Sequence, residues 1–95
     1  MAAYIHAAIE ITDASGYEEY RARVPAVIAQ YGGRYLIRGA PPVYLEGSPA
    51  TTRFVMLEFP DMARLRAFFD SPEYAPLVAI RQRCARSTII AIDGV

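Results

Sequence analysis

The side chains best suited to chemistry in this sequence are Arg38, Glu58 and a group of tyrosines. Arg38 closes a short β-type run, Arg34 to Arg38, and Glu58 lies near the end of another, Arg53 to Phe59. If the runs pair around a turn at Gly47 to Ala50, one bulged residue sets Arg38 opposite Glu58, on the face bearing Leu36, Met56 and Phe54. A guanidinium there suits a bidentate anchor for a carboxylate or enolate, with Glu58 as general base. The plainer reading, and the preferred one, is a structural ion pair that fixes strand register, because a charge on an apolar face needs a partner in any case.

Tyr17, Tyr20, Tyr31, Tyr35 and Tyr74 offer apolar rings with polar tips, which suits a cavity for a small aromatic or keto compound. Ordinary packing between helix and sheet explains Tyr17 and Tyr31 well. Tyr20 and Tyr74 are the better ligand candidates. Tyr74 follows Ser71 at a helix start, where backbone N–H groups can face an anion. Arg81 is two helical turns beyond Tyr74 on the same side, so the pair can line one wall, although an Arg stacked on a Tyr at the surface is simpler.

His6 stands alone, without the nucleophile, orienting carboxylate or further ligands that a catalytic or metal-bound imidazole needs. It reads as a strand residue or a contact between subunits. Cys84 falls in an apolar helical stripe with Leu77 and Ile80, the setting of an inert buried thiol. No phosphate-cradling glycine loop, nucleophile elbow or metal-ligand spacing occurs. All ten basic residues are Arg, so Schiff-base and lysine-anchored pyridoxal chemistry are excluded. No cofactor is implied.

The elements that must carry these groups follow from periodicity. Ala3 to Ile11 alternates, with Ile5, Ala7, Ile9 and Ile11 on one face, and predicts the first strand. Ser15 with Glu18 forms a capping-box pattern before Tyr17, Tyr20, Val24, Ile28 and Tyr31 at helical spacing; Gly32-Gly33 supplies the stop. Pro25 predicts a kink within that helix. Arg34 to Arg38 reads as a strand interrupted by Gly39-Ala40-Pro41-Pro42 and resumed at Val43 to Glu46; Arg53 to Phe59 is the next. Asp61 can cap a second helix with Leu65, Phe68 and Phe69. Ser71-Pro72 opens a turn, Pro76 restarts a helix to about Ala85, and Thr88 to Ile92 is the last strand.

The order β-α-β-β-α-β folds into a four-stranded antiparallel sheet with its helices on one face. Both strand faces are apolar: Val55, Leu57 and Phe59 oppose Phe54 and Met56, and Ile90 and Ile92 oppose Ile89 and Ala91. Two crossover segments cover one face only, so a second copy of the chain is expected to cover the other.

Length and charge agree with this. The 95 residues fit one domain spanning 1–95, and a domain so small gains from a partner subunit. Ten basic residues balance ten acidic ones, which argues against nucleic acid and against an anionic membrane surface. A single cysteine and an N-terminal run too short to span a bilayer place the protein in the cytoplasm.

At Tyr31-Gly32-Gly33-Arg34-Tyr35-Leu36-Ile37-Arg38-Gly39, Leu45-Glu46-Gly47, Leu57-Glu58-Phe59-Pro60 and Ser71-Pro72-Glu73-Tyr74 the chain resembles the domain-of-unknown-function family numbered thirteen-thirty. The resemblance runs from the first strand to Ile92-Asp93-Gly94-Val95. It implies an α+β, ferredoxin-like protomer of the dimeric α/β-barrel type, a superfold that includes cofactor-independent monooxygenases and lactone isomerases. Fold alone does not choose among these. The family usually has an aliphatic residue where this chain has His6, which argues against a family-wide role for it.

Two readings follow. In one, a homodimer acts on or binds a small organic acid or aromatic, with Arg38, Glu58, Tyr20, Tyr35, Tyr74 and Arg81 around a pocket. In the other, the dimer is a structural or interaction module without a cavity.

Overall fold

The computed structural model describes residues 1–47 and 53–95, so Ser48 to Ala50 of the expected turn lie outside the described residues. Strand β1 (Ala3–Ile11) alternates as expected: Ala3, Ile5, Ala7 and Ile9 are buried, and the residues between them are half-buried.

Helix α1 (Ala14–Gln30) is capped by Asp13, whose carboxylate accepts from the Gly16 N–H at 3.2 Å. The expected Ser15–Glu18 capping box does not form. The backbone N–H groups of Thr12 and Asp13 are pinned to the Cys84 carbonyl at 2.8 and 3.0 Å, which aims the Asp13 side chain at the first turn. Ser15 lies inside the helix and its hydroxyl donates to Asp13. The helix passes through Pro25 as one element, with Val24 and Ile28 buried on either side. It stops at Gly32, whose φ of +80° suits glycine.

Strand β2 (Arg34–Arg38) ends at Gly39, and the expected continuation through Val43 to Glu46 is not a strand. Gly39 (φ +83°) turns the chain away from the ladder, and Pro41 and Pro42 bring no N–H donor back to it. Val43 and Leu45 are 84% and 94% exposed. Strand β3 (Arg53–Phe59) follows.

Helix α2 (Met62–Phe69) is capped by Asp61, which accepts from the Arg64 N–H at 2.7 Å. Ser71 then shapes a turn, donating to the Phe68 carbonyl and accepting from the Tyr74 N–H. Helix α3 (Ala75–Cys84) begins with Pro76 in its first turn, and strand β4 (Ala85–Asp93) extends beyond the predicted Thr88 to Ile92.

The four strands form one antiparallel sheet in the order β2-β3-β1-β4. Its covered face carries Ala3, Ile5, Ala7, Ile9, Leu57 and Phe59, which pack against Tyr17, Tyr20, Val24, Ile28, Leu65, Phe68, Tyr74, Leu77 and Ile80 from the helices. Phe59 and Phe68 are almost wholly buried with ring centroids 5.3 Å apart, each worth roughly 1.5–3 kcal/mol of burial. The other face holds Tyr4, His6, Phe54 and Met56, half-buried, with Ile37, Ile90 and Ile92 exposed by 43%, 45% and 50%. Among the described residues no helix is long and apolar enough to cross a membrane.

Candidate functional site

The site is decided by one extra residue in β2. Arg34 pairs with Glu58 and Tyr35 with Leu57, but the next pairs are Ile37 with Met56 and Arg38 with Val55. Leu36 is therefore a bulge. Without it, alternation would leave Arg38 on the open face of the sheet; with it, Arg38 joins Tyr35 on the face beneath the helices.

This corrects the expected Arg38–Glu58 pair. Glu58 faces the open side, where it accepts from the Arg34 Nε at 2.7 Å and from the Tyr4 hydroxyl at 3.0 Å. Those two hydrogen bonds hold its carboxyl below the ordinary carboxylate value, the Arg34 bond contributing most. Glu58 is ion-paired with Arg34, not with Arg38 as either sequence reading had it. It has no access to the pocket.

The pocket lies between helices and sheet and brings together Arg38, Tyr35, Tyr20, Tyr74 and Arg81, five of the six residues singled out from sequence. Its walls also include Tyr17, Arg21, Val24, Arg53, Phe68 and Phe69. The free space is about 50 Å³, room for a few waters. A second hollow of about 200 Å³ lies between α2 and β4, and both hollows share Ile5, Phe69 and Ile89 as walls.

Among the described residues four arginines line the first hollow and no carboxylate does. Arg81 is 6% exposed, and its Nε is buried without a hydrogen-bond partner. The Nε atoms of Arg53 and Arg21 are likewise buried and unpartnered. Arg21 has an ion pair at its far end with Glu18 at 3.6 Å, but among the described residues Arg38, Arg53 and Arg81 have none. Ser48 to Thr52 carry no acidic side chain that would change this count. Arg38 stacks on Tyr35, 4.5 Å from the ring centroid. Arg53 donates weakly to the Arg38 carbonyl at 3.4 Å, with its guanidinium against Gly39, where a Cβ would come within 2.6 Å.

Tyr20 and Tyr74 share a buried hydroxyl–hydroxyl hydrogen bond of 2.7 Å. Only one hydroxyl can donate within the pair, so the other retains a proton for a third group. Burial chiefly, with Tyr74 adding to it and Arg81 opposing, holds the Tyr20 phenol far above its ordinary value. Burial also raises Tyr17 and Tyr35. These phenols are donors at neutral pH and do not serve as bases. Tyr31 instead donates to Glu73 at 2.7 Å in an exposed setting, and His6 tilts against Phe54 on the open face.

Cys84 is fully buried in the core, and its thiol donates a long 4.0 Å hydrogen bond to Asp13. Among the described residues no group of three or more His, Cys, Asp or Glu side chains is placed to hold a metal ion. Sequence reading missed Arg53 and Phe69 as pocket residues. The signal for Arg53 was available: it alternates with Val55, Leu57 and Phe59, so it is a charge on the buried face of its strand.

Among solved structures, a protein of unknown function from Rhodopseudomonas palustris is 19% identical, with a TM-score of 0.79 over 99% of this chain and 82% of that one. A dimeric ferredoxin-like protein of unknown function from Jannaschia sp. CCS1 is 15% identical, with a TM-score of 0.75 over 99% and 100%. SnoaB, a cofactor-independent oxygenase from Streptomyces nogalater, is 12% identical, with a TM-score of 0.67 over 99% and 93%. At these identities the likeness is one of fold, and it bears out the ferredoxin-like arrangement. A search of curated protein sequences found no match. The family model described as "Domain of unknown function (DUF1330)" matches residues 2–95, essentially the whole chain, and the protein belongs to that family.

Proposed function

We propose that this protein binds a small organic acid or acidic aromatic in the arginine-lined hollow, as a homodimer joined through the open faces of its sheets. One observation carries the reading: Arg81, 6% exposed and with an unpartnered Nε, sits in a cavity lined by four arginines and no carboxylate. A buried charge without a counter-charge costs several kcal/mol, and an anionic ligand removes that cost. Arg81 is the anchor, the spare phenolic proton of Tyr20 or Tyr74 a second donor, and Arg38 with Tyr35 the rim. The chemistry open to such a site is electrophilic, because guanidinium groups stabilise developing negative charge while neither a carboxylate nor an imidazole lines the walls. Glu58 is not part of it.

A dimer accounts for the open sheet face, where Ile37, Ile90 and Ile92 are 43–50% exposed with no helix packed over them among the described residues, and the Jannaschia relative is described as dimeric. Sedimentation of a monomer at micromolar concentration would refute it. A buried free thiol fits a reducing compartment, and we place the protein in the cytoplasm. Balanced charge makes nucleic acid a poor partner.

The small size of the free space favours a second reading, a structural or interaction module. Ligand sites typically exceed about 300 Å³. Phe69, 38% exposed, walls both hollows together with Ile5 and Ile89, and in the binding reading its ring turns outward so that a ligand draws on both spaces. A thermal-shift screen of small acids and phenols separates the readings. Acids that raise the Tm of the native protein and not of Arg81→Gln support binding; no shift with any compound supports the module.

A further inference from the structure

We infer that the ligand is a small dicarboxylate, held between cationic groups on two opposed walls of the hollow. This rests on the acid-binding reading and goes beyond it in naming two anionic groups. Arg81 comes from α3, deep beneath the helix layer, whereas Arg38 and Arg53 come from the sheet. Arg53 lies two residues before Val55, the partner of Arg38, so the two arginines are diagonal neighbours on one face. A single carboxylate against Arg81 would leave that like-charged pair uncompensated. Arg53 is half-buried and Arg38 is exposed at the mouth of the hollow, so solvent screens part of their repulsion, and an anion beside them removes the rest.

The local backbone is organised around this pair. The Leu36 bulge turns Arg38 to the covered face, and Gly39, whose N–H donates to the Phe54 carbonyl at 2.9 Å, leaves the space against which the Arg53 guanidinium rests. A ligand with one carboxylate for Arg81 and the phenol pair, and a second for Arg38 and Arg53, supplies acceptors for the unpartnered Nε atoms of Arg81 and Arg53, while Arg21 keeps its ion pair with Glu18. The tyrosine and phenylalanine walls leave its short carbon chain in apolar surroundings.

The experiment is calorimetric titration of the full chain with succinate, glutarate, butyrate and inorganic phosphate, repeated on Arg38→Gln, Arg53→Gln and Arg81→Gln. A diacid binding about tenfold or more tighter than butyrate is the expected result, since each ten-fold step corresponds to one good charge-assisted contact. Arg38→Gln and Arg53→Gln should reduce the diacid to the butyrate level and leave butyrate nearly unchanged; Arg81→Gln should weaken both. Equal affinity for butyrate and the diacids would overturn the two-anion inference and leave acid binding standing. Phosphate binding as tightly as the diacids would replace a dicarboxylate with a compact oxyanion. No binding of any acid would remove both proposals together. Because the first comparison needs only the native protein, failure of a variant to fold does not obscure the outcome.

Discussion

Arg81→Met separates a binding arginine from a structural one. Methionine matches the length and flexibility of the arginine stem and brings no charge, so it occupies the same path between α3 and the sheet. In the native chain Arg81 is 6% exposed, its Nε is buried without an acceptor, and among the described residues no carboxylate lines the cavity. An unsatisfied buried donor costs about 1–3 kcal/mol, and replacing buried charge by apolar side chains of similar volume is often stabilising by a comparable amount. The variant is therefore expected to be more stable by about 1–3 kcal/mol, a Tm rise of about 4–8 °C for each kcal/mol in a domain this size. It should also lose the stabilisation that an acid confers. The assay is thermal or urea unfolding at one protomer concentration, with and without ligand, since association with a second copy shifts apparent stability. A loss of more than about 1 kcal/mol would show that Arg81 is satisfied in the fold, and the reasoning fails. Acid-induced stabilisation surviving in the variant would refute it equally.

Other outcomes follow from the same geometry. Tyr20→Phe or Tyr74→Phe strands one buried hydroxyl of the 2.7 Å pair and should cost about 1–2 kcal/mol, whereas the double variant should cost less than the sum, measured by a double-mutant cycle in urea. Because folding raises the Tyr20 phenol above its unfolded value near 10, its contribution is complete below about pH 10 and is lost as pH rises beyond it; Tyr20→Phe should soften that alkaline loss in pH-dependent unfolding. Folding lowers Glu58, so its contribution is present above the ordinary carboxylate range and lost as pH falls; Glu58→Gln should flatten that acid limb and leave the acid-induced Tm shift intact. Phe69→Ala should join the two hollows and admit acids too bulky for the native protein, read as new thermal shifts with aromatic acids.

Much of this fold could be read from spacing alone, because strand alternation and glycine stops are local signals. Ala3 to Ile11, Arg53 to Phe59 and the Gly32 terminus lie where periodicity placed them. The expected strand at Val43 to Glu46 failed for a local reason, the Gly39 turn and the two prolines, whereas the other misreadings arose where a distant contact decides. Asp13 displaced Ser15 as the cap because the Cys84 carbonyl, far along the chain, anchors its backbone. Arg38 and Glu58 parted because the bulge sits at Leu36, before Ile37, and one residue of register moves a side chain through the sheet. The same shift put Arg38 with Tyr35, Tyr20, Tyr74 and Arg81, so the anchor proposed from sequence survives with different company. Phe69 was legible as a helix residue but not as a shared wall, since that depends on how α2 lies over β4.

The most direct measurement is the resonance of the Arg81 Nε–H in a ¹H–¹⁵N spectrum, assigned through Arg81→Gln and followed during titration with succinate. An acid in the hollow supplies the acceptor this nitrogen lacks, so its proton should move downfield and exchange more slowly with solvent as the site fills. An Arg81 signal that stays in place while succinate reaches high millimolar concentration would contradict the account.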